Sequence, residues 1–443
     1  MITVITSIAA ILVYIKLFLF WLWLWQLKEY HIGRFIAHFK EGQALKKILS
    51  SFWRLKYPKF TKKITVIFLT GLILALLGVL EGFYLSVFLL IILVPLFFQI
   101  PTVILRERYL RKARKKRESF KNLLVIGITG SYGKTTTKEF LAHILSKKFN
   151  VLKTKEHQNS EVGVSNCILQ ELKPEHQVFV CEMGAYNRGG IKLLASIAKP
   201  FIGILTGINE QHMATFGSQE NIVQAKYELI QSLPPDGIAF FNAKNSYCVE
   251  LYNKTKIKKI LYGQAASFQG QENILGAMAV ARELRMSDQE VSAAVREIDA
   301  TFPGARIKKG RDGITVIDAT YSANPDGVMA ALEYLKNLPG PPAGEAGKKI
   351  IVMPCLIELG KASKEVHKRI GAKIAEVCDL AVITTADRLV DIKEGAKGSE
   401  KIVFIENPTS IIEKIKSTTT AGDVVLLEGR VAKELFKLIY VEL

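Results

Sequence analysis

The stretch GITGSYGKTTT, residues 127–137, ends the apolar run LLVIGIT (123–129) and opens the amphipathic run TTTKEFLAHILSKKF (135–149). A short apolar run reads as a buried strand and the longer amphipathic one as a helix. A strand, a glycine-rich turn and a helix N-terminus together aim backbone N–H groups and the positive end of a helix dipole at one anion. In such a turn Lys134 would reach the outer phosphates of a nucleotide and Thr135 would put its hydroxyl on Mg²⁺, with Gly130, Ser131, Gly133 and Thr136 completing the cradle. The spacing departs from the general Gly-x-x-x-x-Gly-Lys-Thr pattern, which would require glycine where Ile128 stands. An ordinary glycine-rich turn is the plain alternative. Gly-Lys-Thr placed between a strand and a helix argues for phosphate.

From Asn122 onward apolar runs alternate with amphipathic ones, the pattern of an α/β architecture. At 443 residues the chain is too long for one ordinary core. Its net charge of +19 is unevenly spread: residues 1–121 hold 20 Lys/Arg against five Glu, whereas the rest is nearly balanced. That distribution speaks against nucleic acid as a partner and for anionic lipid head groups beside an apolar N-terminal region. The cysteines at 167, 181, 248, 355 and 378 form no Cys-x-x-Cys pair. They fit small buried residues in a reducing compartment, with neither zinc nor disulfides.

Residues 2–25 are apolar apart from Lys16, Tyr14 and a few hydroxyls, long enough to span a hydrocarbon core. A cleaved signal peptide fits less well, because no basic region precedes the run. Residues 64–100 form a second apolar run broken by Glu81-Gly82, which reads as the tip of a hairpin between spans 64–80 and 83–100. A re-entrant hairpin is the alternative. Basic blocks at 26–63 and 106–121 should both be cytoplasmic. The expected protein is therefore a multi-pass protein of the cytoplasmic membrane, in contact with membrane lipids, with its large C-terminal portion in the cytoplasm.

The Thr-Gly-x-x-Gly-Lys-Thr form of the loop resembles the Mur ligases, which join amino acids or peptides during peptidoglycan synthesis. Further segments match in order: QNSEVGVSNCIL (158–169), VFVCEMGAYNRGGI (178–191), GILTGINEQHMATFGSQENIVQAKYELI (203–230), QENILGAMAVA (271–281), FPGARIK (302–308) and IDATYSANPDGVMAAL (317–332). The resemblance covers roughly residues 122–443 and points to the branch that adds D-alanyl-D-alanine to a UDP-linked muramoyl tripeptide. It implies an α/β fold with a P-loop-type central domain and a Rossmann-like C-terminal domain, here preceded by a helical transmembrane region. The expected boundaries are 1–105 for the membrane region, 106–121 for a basic juxtamembrane segment, 122–300 for the ATP-binding domain and 301–443 for the C-terminal domain.

The resemblance also implies a chemistry. ATP, with Mg²⁺ at two sites, activates a substrate carboxylate as an acyl phosphate, which an amine then attacks. Such phosphoryl transfer needs positioned charge more than a protein nucleophile. Lys134, Glu182, His212 and Lys226 are then the catalytic set. Thr135, Glu182, His212 and Lys226 face metal, the lysine after carbamylation by CO₂. Asn273, Arg306 and Asp318 approach the nucleotide, while Asn159 and Ser160 lie beside the substrate. Each has a plainer alternative: a polar loop residue for His212, a solvated helix lysine for Lys226, a helix cap for Asn273 and a strand-end turn for Asp318. SANPDG (322–327) should form a tight turn, and His367 matches the family pattern without an assigned role.

Three departures stand out. Ser322 replaces the first asparagine of the usual Tyr-Asn-Ala-Asn-Pro, and Glu428 stands where a lysine is expected. The soluble domain that grips the UDP end gives way to the membrane region. These departures keep two alternatives open: the same chemistry on a lipid-linked or polyglutamate-like carboxylate, or a membrane nucleotide-binding protein that does not ligate.

Overall fold

The computed structural model describes residues 2–27, 35, 49, 51–155, 158–266, 270–298, 306–320, 323–338 and 347–438. Packing divides the chain into two compact units, Met1–Lys112 and Ala113–Leu443.

The first unit is helical. Helices α1 (Ile2–Leu27) and α2 (Lys62–Leu80) meet through Tyr14, Phe18 and Leu22 on one side and Ile64, Ile67 and Ala75 on the other. The Tyr14 hydroxyl donates to the Gly71 carbonyl at 3.2 Å. Thr61 caps α2 by accepting from the Ile64 amide, and the chain turns at Glu81-Gly82 as the sequence suggested, with Gly82 at φ +80°. It returns through α3 (Tyr84–Val87) and α4 (Leu90–Phe97), then continues as α5 (Gln99–Glu118). Outward-facing residues of α1 and α2, such as Leu12, Leu69, Ile73 and Leu77, are also apolar and exposed. Val4–Leu27, Lys62–Leu80 and Leu90–Glu118 are long and apolar enough to cross a membrane. The third runs well past the expected end at 100, since the basic block continues as helix. Most of the expected basic block 26–63 lies outside the described residues.

The second unit is α/β and contains two six-stranded sheets. The first comprises β1 (Leu124–Thr129), β2 (Val151–Lys153), β3 (Val178–Glu182), β4 (Ile202–Leu205), β5 (Ile238–Asn242) and β6 (Lys258–Tyr262). All its pairings are parallel, in the order β2-β3-β1-β4-β5-β6. Strands β3, β4 and β5 are buried along their whole length, which explains runs such as VFVC and IGIL with no polar alternation. Helices α6 (Lys134–Leu145), α12 (Gln271–Glu283) and α13 (Asp288–Arg296) cover one face through Leu141, Ile144, Ala277, Val280 and Val291. Between them in the chain lie α7 (Glu161–Glu171), α8 (Gly190–Ala198), α9 (Met213–Phe216), α10 (Gln219–Gln231) and α11 (Ser246–Lys254). Of these, α8 and α10 pack together and against β1.

The second sheet comprises β7 (Arg306–Lys309), β8 (Thr315–Ala319), β9 (Lys349–Met353), β10 (Leu380–Ile383), β11 (Ile402–Phe404) and β12 (Val424–Glu428). Its order is β11-β10-β9-β12-β8-β7, and only the β7–β8 pairing is antiparallel. Helices α14 (Pro325–Asn337), α15 (Ser363–Val377) and α16 (Leu389–Gly395) cover one face, and α17 (Pro408–Thr418) lies on the other. The described part of SANPDG, residues 323–327, leads into a helix rather than the tight turn expected from sequence. Asn324 caps α14 by accepting from the Gly327 amide, and Pro325 takes the first helical position, where its missing N–H costs nothing. Ser322 lies outside the described residues. All five cysteines are buried and free.

Candidate active site

In the first sheet the chain leaves β1 to one side for β2 and β3 and crosses to the other for β4. Ligands of open α/β sheets bind beyond the carboxyl ends of the strands at such a reversal. Here β1 leads into the Gly130–Gly133 loop, β3 ends in Glu182, and β4 is followed by Thr206.

The loop is held from below. Ser131 N–H donates to the Gly207 carbonyl at 2.6 Å, and the Ser131 hydroxyl accepts from the Asn209 amide at 3.2 Å. A Cβ on Gly130 would lie 2.1 Å from Thr206 Oγ1, and one on Gly133 would lie 2.4 Å from Asn273 Oδ1. Gly133 also holds φ +75° as it starts α6. Lys134 Nζ donates to the carbonyls of Gly130 and Ser131 at 2.9 and 3.0 Å, folding its charge over the loop. Burial lowers its pKa, with Glu182 opposing the shift. Thr136, next along the helix, is half-buried.

Glu182 is a junction. Its Oε2 accepts from Thr135 Oγ1 at 2.9 Å and its Oε1 from Asn159 Nδ2 at 3.0 Å. Lys138, fully buried, lies 3.5 Å from the same Oε2 and 3.1 Å from Glu139. A hydroxyl and a carboxylate offer hard oxygen donors, the type that Mg²⁺ prefers, and glycines that leave no room for a Cβ suit a closely approaching phosphate. The residues present therefore fit a magnesium nucleotide. Ser160, expected beside Asn159 at the substrate, caps α7 by accepting from the Gly163 amide.

His212, Lys226 and Lys134 share one electrostatic neighbourhood. The His212 pKa is lowered by burial, with the Glu358 hydrogen bond opposing and the two lysines adding to the fall. Lys226 is 2% exposed, which excludes the solvated face its helix position suggested. Burial first, and then Lys134, lower its pKa to about 7. Its Nζ stands 5.6 Å from the centroid of the Phe216 ring. His212 bonds through Nδ1 to Glu358 Oε2 at 2.6 Å, and the Tyr186 ring meets it edge-on with centroids 4.9 Å apart.

Asn273 is not a helix cap: Gly270 holds that position, and Asn273 accepts from Thr137 Oγ1 at 3.2 Å behind the phosphate loop. Asp318 lies in β8 directly opposite Arg306 of β7 in the antiparallel register. The Arg306 side chain is outside the described residues. The Asp318 carboxyl is half-buried, which would raise its pKa, but hydrogen bonds from Lys308 and Thr320 outweigh burial and lower it. His367 is fully buried and accepts from the Leu356 amide at 3.0 Å. Glu428, at the end of β12, is 2% exposed, and burial pushes its carboxyl well above the usual range.

Sequence reasoning missed four side chains of this cluster. Lys138 follows Lys134 by one helical turn and sits among the buried positions Thr137, Leu141 and Ala142, so a lysine on an apolar stripe was the available signal. Asn209 donates to Asn324 and Asp326 at 3.1 and 2.9 Å, tying the two sheets' loops together. Glu358 does the same through His212. Nothing local in the sequence announces Asn209, Asp326 or Glu358.

Comparison with known proteins identifies the family. The Mur ligase middle domain is matched over residues 128–304, and the Mur ligase glutamate ligase domain over residues 305–431. The chain is 32% identical over 335 residues to the UDP-N-acetylmuramoyl-tripeptide–D-alanyl-D-alanine ligase of Synechocystis sp., spanning 69% of this chain and 71% of that protein. It is 28% identical to the ligase of the same name from Bacillus subtilis, spanning 69% and 72%. The crystal structure of the MurF ligase from Thermotoga maritima in complex with ADP superposes with a TM-score of 0.63 at 26% identity, covering 75% of this chain and 82% of that one. The chain belongs to the Mur ligase family of ATP-dependent acid–amino-acid ligases.

Proposed function

We propose that this chain is a membrane-attached ligase that adds D-alanyl-D-alanine to a UDP-linked muramoyl tripeptide in peptidoglycan precursor synthesis. The observation that carries the reading is the convergence of Lys134, Thr135 and Glu182 at the reversal of the first sheet, in a chain whose relatives bear that activity in their names. In this reading ATP gives its γ-phosphoryl group to the substrate carboxylate. The amine of the dipeptide then displaces phosphate, losing a proton as the amide forms.

The residues divide the work. The backbone of Gly130, Ser131 and Gly133 and the first turn at Thr135 and Thr136 cradle the phosphates. Lys134 leaves the loop carbonyls to follow the transferring phosphoryl group. Thr135 and Glu182 would hold one Mg²⁺, and His212 with a carbamylated Lys226 would hold the second. The burial of Lys226 and its lowered pKa support the carbamate, because only the free amine reacts with CO₂. Asn273, Arg306 and Asp318 flank the nucleotide, and Asn159 with Ser160 borders the substrate. The domains follow as a membrane region 1–105, a basic segment 106–121, an ATP-binding domain 122–300 and a C-terminal domain 301–443. Three helices of suitable length and the basic blocks beside them support insertion in the cytoplasmic membrane, next to its lipids, with the catalytic domains in the cytoplasm.

Glu428 favours a second reading of the substrate. A buried carboxyl at the end of β12 would not attract an anionic group as a lysine there would, so the same chemistry on a lipid-linked or polyglutamate-like carboxylate remains the alternative. The test is mass spectrometry of products after incubation with ATP, UDP-linked muramoyl tripeptide and D-alanyl-D-alanine, with ADP release followed in parallel. The ligated pentapeptide supports the first reading. ADP release without that product, when other carboxylates are ligated, moves the assignment to the second.

A further inference from the structure

His212 and Glu358 come from different halves of the second unit. One follows β4 of the first sheet and the other follows β9 of the second. Their side chains meet at 2.6 Å, and the Ala214 amide donates to the Glu358 carbonyl at 3.0 Å, so the two loops are joined by backbone as well. Both residues hold left-handed backbone, φ 66° and 65°, which is uncommon away from glycine and persists where surroundings enforce it.

A carboxylate can only accept a hydrogen bond. The proton of the neutral ring must therefore sit on Nδ1, and the lone pair on Nε2, which by ring geometry faces away from Glu358. We propose that Glu358 is a positioning residue for His212: it fixes the Nδ1-protonated tautomer, so that the docked C-terminal domain is what presents Nε2 as a donor atom to a divalent cation. The inference rests on the reading of His212 as a metal-facing residue. Outer partners of ligating histidines act in this way, fixing the ring's tautomer and orientation.

A second buried histidine supports the loop. His367 Nε2 accepts from the Leu356 amide at 3.0 Å, while its Nδ1 donates to the Ser363 carbonyl at 2.6 Å. Leu356 is two residues before Glu358, so His367 holds the loop that carries the carboxylate. The Tyr186 ring bounds His212 edge-on from the first domain. The segment IELGKASKEVHKRIG (357–371), which had no role from sequence, thereby acquires one.

The test uses the full-length chain with ¹⁵N-labelled histidine, the His212 signals being assigned by their loss in His212→Gln. The wild type should give the Nδ1-protonated pattern without metal or nucleotide. Glu358→Ala and Glu358→Leu, two truncations that guard against one failing to fold, should shift His212 toward Nε2 protonation. They should also lower kcat by about 10–100-fold. Glu358→Gln, whose amide can accept or donate, should give mixed tautomers and an intermediate kcat. An unchanged Nδ1-protonated pattern in the truncated variants overturns the inference, whatever the substrate proves to be. Full activity of His212→Ala would instead overturn the underlying metal-facing reading, and the inference with it.

Discussion

Thr135 donates its hydroxyl to Oε2 of Glu182 over 2.9 Å, joining the helix behind the first strand to the tip of the third. The two residues lie 47 positions apart and meet because β1 and β3 are neighbours, with Ile128 in register with Glu182. Asn159 engages the other carboxylate oxygen, and Lys138 approaches from beneath. Glu182 is thus held on every side within protein reach, and its orientation is set before any ligand arrives.

Glu182→Ala should raise the Mg²⁺ requirement of the ligase. It also leaves the buried Lys138 with Glu139 as its remaining carboxylate partner, so stability should fall by about 1–3 kcal/mol. Glu182→Gln keeps the shape and most hydrogen bonds, and should lose metal affinity with a smaller loss of stability. Magnesium titration of product formation, beside thermal unfolding of the same samples, separates the effects. Wild-type magnesium dependence in both variants would remove Glu182 from the site.

Lys134→Ala should lower product formation by about 10²–10³-fold, the usual loss for one group aimed at transition-state charge. Folding should change little, because the ammonium only spans the carbonyls of Gly130 and Ser131 at the rim of the loop. Turnover within a few-fold of wild type would mean that the phosphate is held elsewhere.

The phosphate loop was legible because strand, turn and helix are contiguous, and Glu182 because it ends an apolar run. Lys226 was legible in position but not in burial. Ile222, Ala225, Leu229 and Ile230 of the same helix are all buried, and a lysine four residues after the first and three before Leu229 belongs to their stripe. The Glu358–His212 bond joins residues 146 apart through the docking of two domains, and no local pattern encodes such a meeting. For Asn273 it is the plainer alternative, a helix cap, that does not hold: Gly270 occupies the cap position, and the asparagine side chain turns to Thr137 behind the loop.

From Ala113 onward the basic segment belongs to the α/β unit. Arg117 donates to the carbonyls of Ala198, Phe120 and Leu123 at 2.9, 3.0 and 3.1 Å, and Arg114 bonds to Ser196. A chain starting at Ala113 should therefore be soluble, folded and able to bind ATP, whereas one starting at Asn122 should unfold at a clearly lower temperature. Equal unfolding temperatures would show that this segment adds nothing to the fold. In the full chain a reporter fused after Leu443 should be cytoplasmic, and protease accessibility of that end on intact cells would refute the proposed orientation.

Lys226 offers the most demanding test. With its pKa lowered to about 7, more than half of the amine is neutral at pH 7.5, against roughly one part in a thousand for an unperturbed lysine. The neutral amine is what attacks CO₂, losing a proton as the carbamate forms, so activity should fall when bicarbonate and CO₂ are stripped from the assay, and the dependence on added bicarbonate should strengthen as pH rises through about 7. Lys226→Ala should be nearly inactive and regain some activity with short carboxylic acids that occupy the vacated space. Lys226→Arg should not be rescued, since it keeps the charge and fills the site. Stability gives an independent check in CO₂-free buffer. Below about pH 7 the folded and unfolded chains both hold this proton, and the cost of burying the charge is constant. Between about 7 and the ordinary lysine value of 10.5 the unfolded state binds the proton that the folded state has lost, so wild-type stability should rise with pH relative to Lys226→Met. A flat difference between the two proteins across that window, together with full ligase activity of Lys226→Ala without CO₂, would return Lys226 to the status of a structural lysine.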